Sequence, residues 1–178
     1  MQPQPEIQVI QEKKGFSRII TGTASVRPSF AEFKDLPMLE TLSLGGRPAV
    51  LPQISVTVRA EKGVFSTTYT VLANALGTIP LSNKPGGKLT GFADVSAQSV
   101  QYFDHEGNRA GVVNRGLVPL DKPRGISSVL CDDYRLGIEG NLAAVIDLVS
   151  SFSLFKAPVL HVLKAVATEA GDLKTVKA

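Results

Sequence analysis

The sequence predicts an α+β fold, in which an antiparallel β-sheet or barrel-like body fills the first two thirds of the chain and a helix pair follows. The chain has 178 residues, of which 43% are hydrophobic and 20% charged, as in one ordinary globular domain. Apolar residues recur with the period of strands up to about residue 138 and with the period of helices after residue 141. Strands followed by helices are typical of α+β rather than alternating α/β folds. We expect an extended arm over 1–15, a β-rich body over 16–138 and a helical segment over 141–171.

The clearest strand signal is the stretch 52–73, "PQISVTVRAEKGVFSTTYTVLA". Apolar and polar side chains alternate through its first half, which is the pattern of a half-buried strand. The polar turn "AEKG" and a second run rich in β-branched and aromatic residues follow. The stretch therefore predicts a β-hairpin.

Further strands are predicted downstream. Residues 89–103 form a long candidate strand whose apolar phase slips near 97–99, which indicates a bulge. "DHEGN", 104–108, has the composition of a turn, and 109–120 is expected to return as the partner strand. Residues 125–140 are expected to form the last strand.

Upstream of the hairpin, "SRIITGTASVRPSF" has the composition of another strand. "SFAEFKDLPMLETL" predicts a short helix that ends before Pro37, because a proline disfavours helix in the residue before it.

The period changes to a helical one after residue 140. Asn141 is a suitable N-cap for a helix over 141–155, Pro158 is expected to break or restart it, and Gly171 is expected to end a second helix. The apolar side chains of this pair either pack across the chain's own sheet or form an interface with another copy. The candidate interface residues are Leu142, Val145, Ile146, Val149, Phe152, Leu160 and Leu163.

The charge of the chain is mildly basic, with 19 basic and 16 acidic residues and a formal net charge of +3. This balance does not indicate a dedicated DNA-binding protein. Contact with nucleic acid would have to come from several copies assembled together. The candidate phosphate-contacting residues are Arg59, Lys84, Lys88, Lys122 and Arg124.

The N-terminal stretch lacks the apolar core of a signal peptide. The apolar region 142–166 is interrupted by Asp147, Lys156 and Lys164, so it has no uncharged run near the ~20 residues that span a bilayer. We expect a soluble protein, in a virion or the cytoplasm, without a membrane partner.

Residues able to carry out chemistry are few, and they are scattered. In "DHEGN" an extended backbone would direct His105 away from its acidic neighbours, so a hairpin turn is the favoured interpretation. In "CDDYR" the single Cys131 lacks an adjacent base, and Asp132 and Asp133 diverge in a strand. The sequence predicts no catalytic residue, metal or cofactor, and an enzymatic role is not favoured.

The favoured hypothesis for function is a structural protein that assembles with itself, such as a virion coat or another shell subunit, and that contacts nucleic acid. It rests on the extended arm, the many Thr, Ser and Val strands, the apolar helix pair and the mild positive charge. The order of sheet first and helices last is loosely similar to that of small RNA-phage coat proteins. The resemblance is one of architecture.

Two alternatives belong to other classes. One is a β-barrel-like pocket for an apolar small molecule, or a cofactor-free cyclase or isomerase. Its cavity would be lined by Tyr69, Tyr102, Phe92 and Phe103, with Asp94 or Glu106 as acid or base. The other is a nucleic-acid-binding module, against which the sequence shows no clustering of aromatic with basic residues of the kind that single-strand platforms use.

Overall fold

The computed structural model of the protein describes residues 6–28, 42–82 and 88–172. These residues confirm the α+β prediction, with an antiparallel sheet followed by two helices. The short helix predicted to end before Pro37 lies outside the described residues. The elements are β1 Gln8–Lys14, β2 Ser17–Val26, β3 Ser43–Leu44, β4 Arg47–Pro48, β5 Gln53–Lys62, β6 Thr67–Ser82, β7 Leu89–Val95, β8 Ser99–Asp104, β9 Arg109–Asn114, β10 Val118–Pro119, β11 Ile126–Asp132, β12 Arg135–Gly140, α1 Leu142–Val149 and α2 Ser153–Ala170.

The long strand β6 organises the sheet. Its first part pairs with β5 on one side and β12 on the other, which gives the order β1-β2-β5-β6-β12-β11-β10. Its second part pairs with β7, which leads to β8 and β9. The two parts meet at Gly77, whose φ is +103° and where a Cβ would lie 2.7 Å from the carbonyl oxygen of Leu51. Only glycine fits this junction without strain. Within the described ranges the sheet is open and does not close into a barrel.

Three strand predictions are corrected by the structure. Residues 89–103 form the hairpin β7–β8 instead of one bulged strand, and the slip in phase is a turn in which the Ser99 N–H donates to Ser96 Oγ over 3.2 Å. Residues 125–140 form the hairpin β11–β12, whose turn is closed by Asp132 Oδ1 accepting the Tyr134 N–H over 2.8 Å. Residues 8–14 of the predicted arm form strand β1, which is paired with β2. Short side chains that bond their own backbone made these turns hard to distinguish from strands.

Both helices pack on one face of the sheet and form the main core with it. Strands β2, β5, β6 and β12 place one row of residues side by side across this face, namely Gly22, Val58, Val71 and Ile138. Helix α2 packs directly over Gly22, where a Cβ would lie 2.5 Å from Val166 Cγ2. The absence of a side chain at residue 22 therefore sets how near α2 approaches the sheet.

The break between the helices lies at Ser150–Phe152 and not at Pro158, so this prediction is corrected as well. The Ser150 and Ser151 hydroxyls donate to the Ile146 and Leu148 carbonyls, which ends α1. Pro158 lies inside α2 near its N-terminus, where it removes one backbone hydrogen bond. The predicted ends are confirmed: Asn141 caps α1 through its side chain, and Gly171 ends α2 with a φ of +80°.

A second, smaller core lies under the β3–β4 hairpin. Leu44 of this hairpin packs against Phe92 of β7 and Phe103 of β8. The Arg47 guanidinium donates to Asp94 Oδ2 over 3.3 Å at the rim. The hairpin therefore covers the β7–β8 part of the sheet.

We predict that Gly22→Ala destabilises the protein by about 1–3 kcal/mol, because the new methyl group overpacks the contact between α2 and β2. The measurement is the free energy of unfolding from urea titration. Gly111→Ala is the matched control, because no atom lies within 4 Å of a Cβ built there. A Gly22→Ala cost within about 0.5 kcal/mol of the control would contradict the close packing of α2.

Candidate assembly interface

One border of the sheet is formed by a single continuous stretch, residues 109–120, here called the edge segment. Its first part, β9, pairs with β8, and its last part, β10, pairs with β11. No strand among the described residues pairs with its outer side. The outer side of β9, six residues long, is therefore open to pairing with another strand, whereas β10 has two residues and its Pro119 lacks an N–H donor.

The edge segment carries exposed apolar side chains, and in β9 the adjacent Val112 and Val113 point to opposite faces of the sheet. Five of them are between 42% and 58% exposed, namely Val112, Val113, Leu117, Val118 and Leu120. Arg109 and Arg115 are its only charged residues, and Arg115 points inward. A border of this kind, long and apolar, is the type that natural sheets normally protect.

The opposite border is protected. Strand β1 is exposed along its whole length and carries Glu12, Lys13 and Lys14. Charged side chains, lysine above all, disfavour pairing of one edge with another. The two borders of one sheet thus differ in their readiness to accept another strand.

Arg115 fixes the middle of the edge segment to the interior. Its guanidinium is 2% exposed and pairs with Asp132 through two bonds, Nε to Oδ2 at 3.0 Å and Nη2 to Oδ1 at 3.1 Å. Nη1 also donates to the Ser96 carbonyl over 2.9 Å, and Nη2 to Asn74 Oδ1 over 3.2 Å. One side chain therefore joins the edge segment to β6, to the β7–β8 turn and to the end of β11.

The Asp132 carboxylate is held in its ionised form. Burial raises the pKa of Asp132, but hydrogen bonds from Arg115 and from the Tyr134 N–H lower it, as do the charges of Arg115 and Arg135, and the net pKa lies below its usual value. A buried, bidentate Arg–carboxylate pair with further bonds is well placed to offset its desolvation cost.

The basic residues predicted to contact nucleic acid are spread over the molecule. Arg59 lies on the helix-free face of β5, where it is exposed, and Lys88 is exposed just before β7. Arg59 pairs with Thr70 of β6, whereas Lys88 precedes Leu89, the partner of Ser82 near the other end of β6. Thr70 and Ser82 are twelve residues apart, which is about 40 Å measured along the strand at ~3.3 Å per residue. Lys122 and Arg124 are exposed in the loop before β11, and Lys84 lies outside the described residues.

The helix residues proposed as an interface with another copy already pack within the chain. Leu142, Val145, Val149 and Leu163 are buried. The other three are half-buried against the same core, namely Ile146, Phe152 and Leu160. The structure therefore shows that these residues pack on the chain's own sheet, and contact of the three half-buried ones with another copy stays a prediction.

The four aromatic residues proposed to line a pocket do not share a cavity. Tyr69 lies in the helix-covered core, Phe92 and Phe103 lie in the small core, and Tyr102 packs at the border of the main core. An open cleft of about 480 Å³ lies beside residues 23–25 of β2 and 55–57 of β5. It is lined by Glu6, Gln8, Thr23, Ala24, Ser25, Ser55, Val56 and Thr57. Its lining includes none of these aromatic residues.

The polar clusters of the sequence are turns. The "DHEGN" prediction is confirmed, because Asp104 Oδ1 accepts the Glu106 and Asn108 N–H groups, each over 2.9 Å, and Gly107 has a φ of +90°. Burial, together with the charges of Asp132 and Asp133, raises the pKa of the Cys131 thiol, which makes it a poor nucleophile at neutral pH. No group of three metal-ligating side chains occurs in the described parts of the chain.

Sequence reasoning predicted the return of β9 beside β8 but missed the pairing of β10 with β11 and the role of Arg115. In the sequence it is an arginine between Asn114 and Gly116, and nothing in the spacing links it to Asp132.

Across the described ranges, neither helix is long and apolar enough to cross a lipid bilayer. Comparison with the models of known protein families, with curated proteins and with solved structures gives no match.

We predict that Arg115→Ala lowers the free energy of unfolding by about 3–5 kcal/mol, because it leaves the Asp132 carboxylate buried without its main partner. Arg135→Ala is the matched control. Arg135 is partly exposed, its contact to Asp132 is longer at 3.4 Å, and its buried Nε has no acceptor. We expect that control to cost less than about 1 kcal/mol. Equal losses of unfolding free energy in the two variants would show that Arg115 is not the main partner of the Asp132 carboxylate.

We predict a second effect in acid, measured as the urea midpoint at pH 7, 5 and 3. The pKa of Asp132 is lower in the folded chain than the ~3.9 of a free aspartate. Its contribution is therefore complete above about pH 5 and is lost as the pH falls through the folded-state pKa. Asp132→Asn should be less stable than wild type at pH 7 and should lose less stability between pH 5 and pH 3. Parallel acid curves for the two proteins would contradict this assignment.

Proposed function

We propose that this protein is a structural subunit that assembles with copies of itself, as coat and shell proteins do. The observation that supports the proposal is the edge segment, an unpaired and apolar sheet border held in a fixed position by a buried ion pair. Pairing of strand edges supplies backbone hydrogen bonds, and the exposed valines and leucines add apolar contact. Another copy of the chain brings the same border, which satisfies the self-complementarity of a two-fold contact.

The rest of the molecule is consistent with a rigid building block. The helices are committed to the chain's own sheet, so the sheet border can be used without rearrangement of the core. Arg59, Lys88 and the pair Lys122 and Arg124 lie on separate parts of the surface, so any contact of theirs with nucleic acid would have to come from several assembled copies. Arg59 also has Glu61 two residues away on the same strand face.

The proposal predicts that Val118→Lys reduces the oligomeric mass, because a charge would be buried at the paired border. The measurement is light scattering on a size-exclusion column, with absorbance at 260 and 280 nm on the same peak. The chain has three tyrosines and no tryptophan, so bound nucleic acid would dominate the absorbance ratio. Wild-type protein should elute as a large homo-oligomer.

Ile10→Lys on β1 is the matched control. Ile10 is 60% exposed and Val118 is 58% exposed, so the two substitutions introduce the same charge at equally accessible border positions. The control should assemble like wild type. A wild-type monomer at all concentrations, or equal loss of mass in both variants, would overturn the proposal.

A further inference from the structure

Two hairpin turns at one end of the sheet each expose a phenylalanine. Phe16 lies in the turn between β1 and β2 and is 94% exposed, and Phe65 lies in the turn between β5 and β6 and is 99% exposed. Val64 beside it is 70% exposed. Turn positions normally carry polar residues, so two bare aromatic rings at such positions require a separate explanation.

The register places these turns side by side. Arg18, at the start of β2, pairs with Lys62, at the end of β5. The turns that precede Arg18 and follow Lys62 therefore project from neighbouring strands, which lie about 4.8 Å apart. Phe16 and Phe65 are 49 positions apart in the sequence, and only the pairing of β2 with β5 brings them together.

Basic residues form a row directly behind the two rings. Lys13 pairs with Arg18, which pairs with Lys62, so three cations lie in one row across three strands. Lys14, the last residue of β1, pairs with Ser17 and points to the opposite face of the sheet at the same end. We call the two rings and these four cations the tip patch.

Two of the four cations hold the end of α2, and the other two form no ion pair with a described residue. Arg18 donates to the Glu169 carbonyl over 2.7 Å, and the Lys62 ammonium donates to the Ala170 carbonyl, at the C-terminal end of α2. Cations at that end are favoured by the helix dipole. Lys13 and Lys14 are exposed and form no ion pair with any described residue. Their charge is available to an anionic partner.

We infer that the tip patch binds single-stranded nucleic acid, with bases stacked on Phe16 and Phe65 and phosphates beside Lys13 and Lys14. Exposed aromatic faces next to cations are the combination that single-strand platforms use. Both rings are almost fully exposed, so unpaired bases can reach them without a preformed cavity. This inference does not depend on pairing of the edge segment, which lies on the other border of the sheet.

The test uses Phe65→Trp in the full-length chain. Because the protein has no other tryptophan, the emission reports on this turn alone. We expect oligouridylate or oligothymidylate at about 50 mM salt to quench the emission by stacking. Val50→Trp, on a side chain 60% exposed in the segment after β4, is the control and should not be quenched. The Val118→Lys background separates binding from assembly, because binding must persist there even if oligomers are lost.

Two further variants separate the stacking and charge contributions. Phe16→Ala in the Phe65→Trp protein should weaken binding roughly 5-fold or more, which is the lower end of one lost stacking contact. Lys13→Gln with Lys14→Gln should reduce the slope of log affinity against log salt by about 1.4, since each phosphate contact on a single strand contributes about 0.7. Arg27→Gln with Lys156→Gln removes two exposed cations, one after the far end of β2 and one near the N-terminus of α2, and should leave that slope unchanged.

Three outcomes would overturn the inference. One is the absence of quenching by any single-stranded oligonucleotide at low salt. Another is a blue shift in the emission of the Phe65→Trp protein on vesicles of anionic phospholipid without quenching by oligonucleotides, which would assign the patch to a lipid surface. The last is a blue shift that follows protein concentration alone, without nucleic acid, and that would make the patch a contact between copies.

Discussion

The buried pair of Arg115 and Asp132 is the interaction on which the shape of the sheet depends. Strand β6 is shared by two groups of strands, β7 to β9 along its second part and β10 to β12 along its first, and these groups have no backbone ladder between them. Arg115 bridges them by donating to Asp132, to the Ser96 carbonyl and to Asn74. In a low-dielectric interior the attraction within such a pair offsets its desolvation cost only when the geometry is good and the remaining hydrogen bonds are satisfied. Here four of the guanidinium N–H groups have acceptors, so the joint is both strong and directional.

The Arg115–Asp132 ion pair fixes the position of the edge segment on the surface of the molecule. It holds residues 109–120 as one border, and the helices on the main sheet face leave that border uncovered. The contrast with β1 is chemical, because the edge segment carries valines and leucines, whereas β1 follows Val9 and Ile10 with Glu12, Lys13 and Lys14. At the end of β2 and β5, the anchoring of α2 by Arg18 and Lys62 holds cations behind two exposed rings. The border proposed for assembly and the patch proposed for nucleic acid therefore lie on separate parts of the surface.

Much of the fold could be predicted from local pattern, and the errors share one cause. The hairpin of β5 and β6, the turn at Asp104–Asn108, the Asn141 cap and the Gly171 stop all follow from residue types acting on their own neighbours. The missed turns at Ser96–Ser99 and Asp132–Tyr134 are built from side chains that bond the backbone two or three residues away. Within a strand-like composition such a turn differs little from a bulge. The break between the helices was misplaced because two serine hydroxyls, rather than the proline, end α1.

The sequence by itself determined the class of fold, the order of strands and helices, the mild positive charge and the small supply of reactive side chains. These properties depend on composition and on periods of two and 3.6 residues, which are local. Only the tertiary structure decided which sheet border stays apolar and open, that Arg115 meets Asp132, and that Phe16 and Phe65 come together beside Lys13 and Lys14. Each of these depends on strand register between segments far apart in the chain. Register is fixed by the packing of whole faces, so no single stretch of sequence contains it.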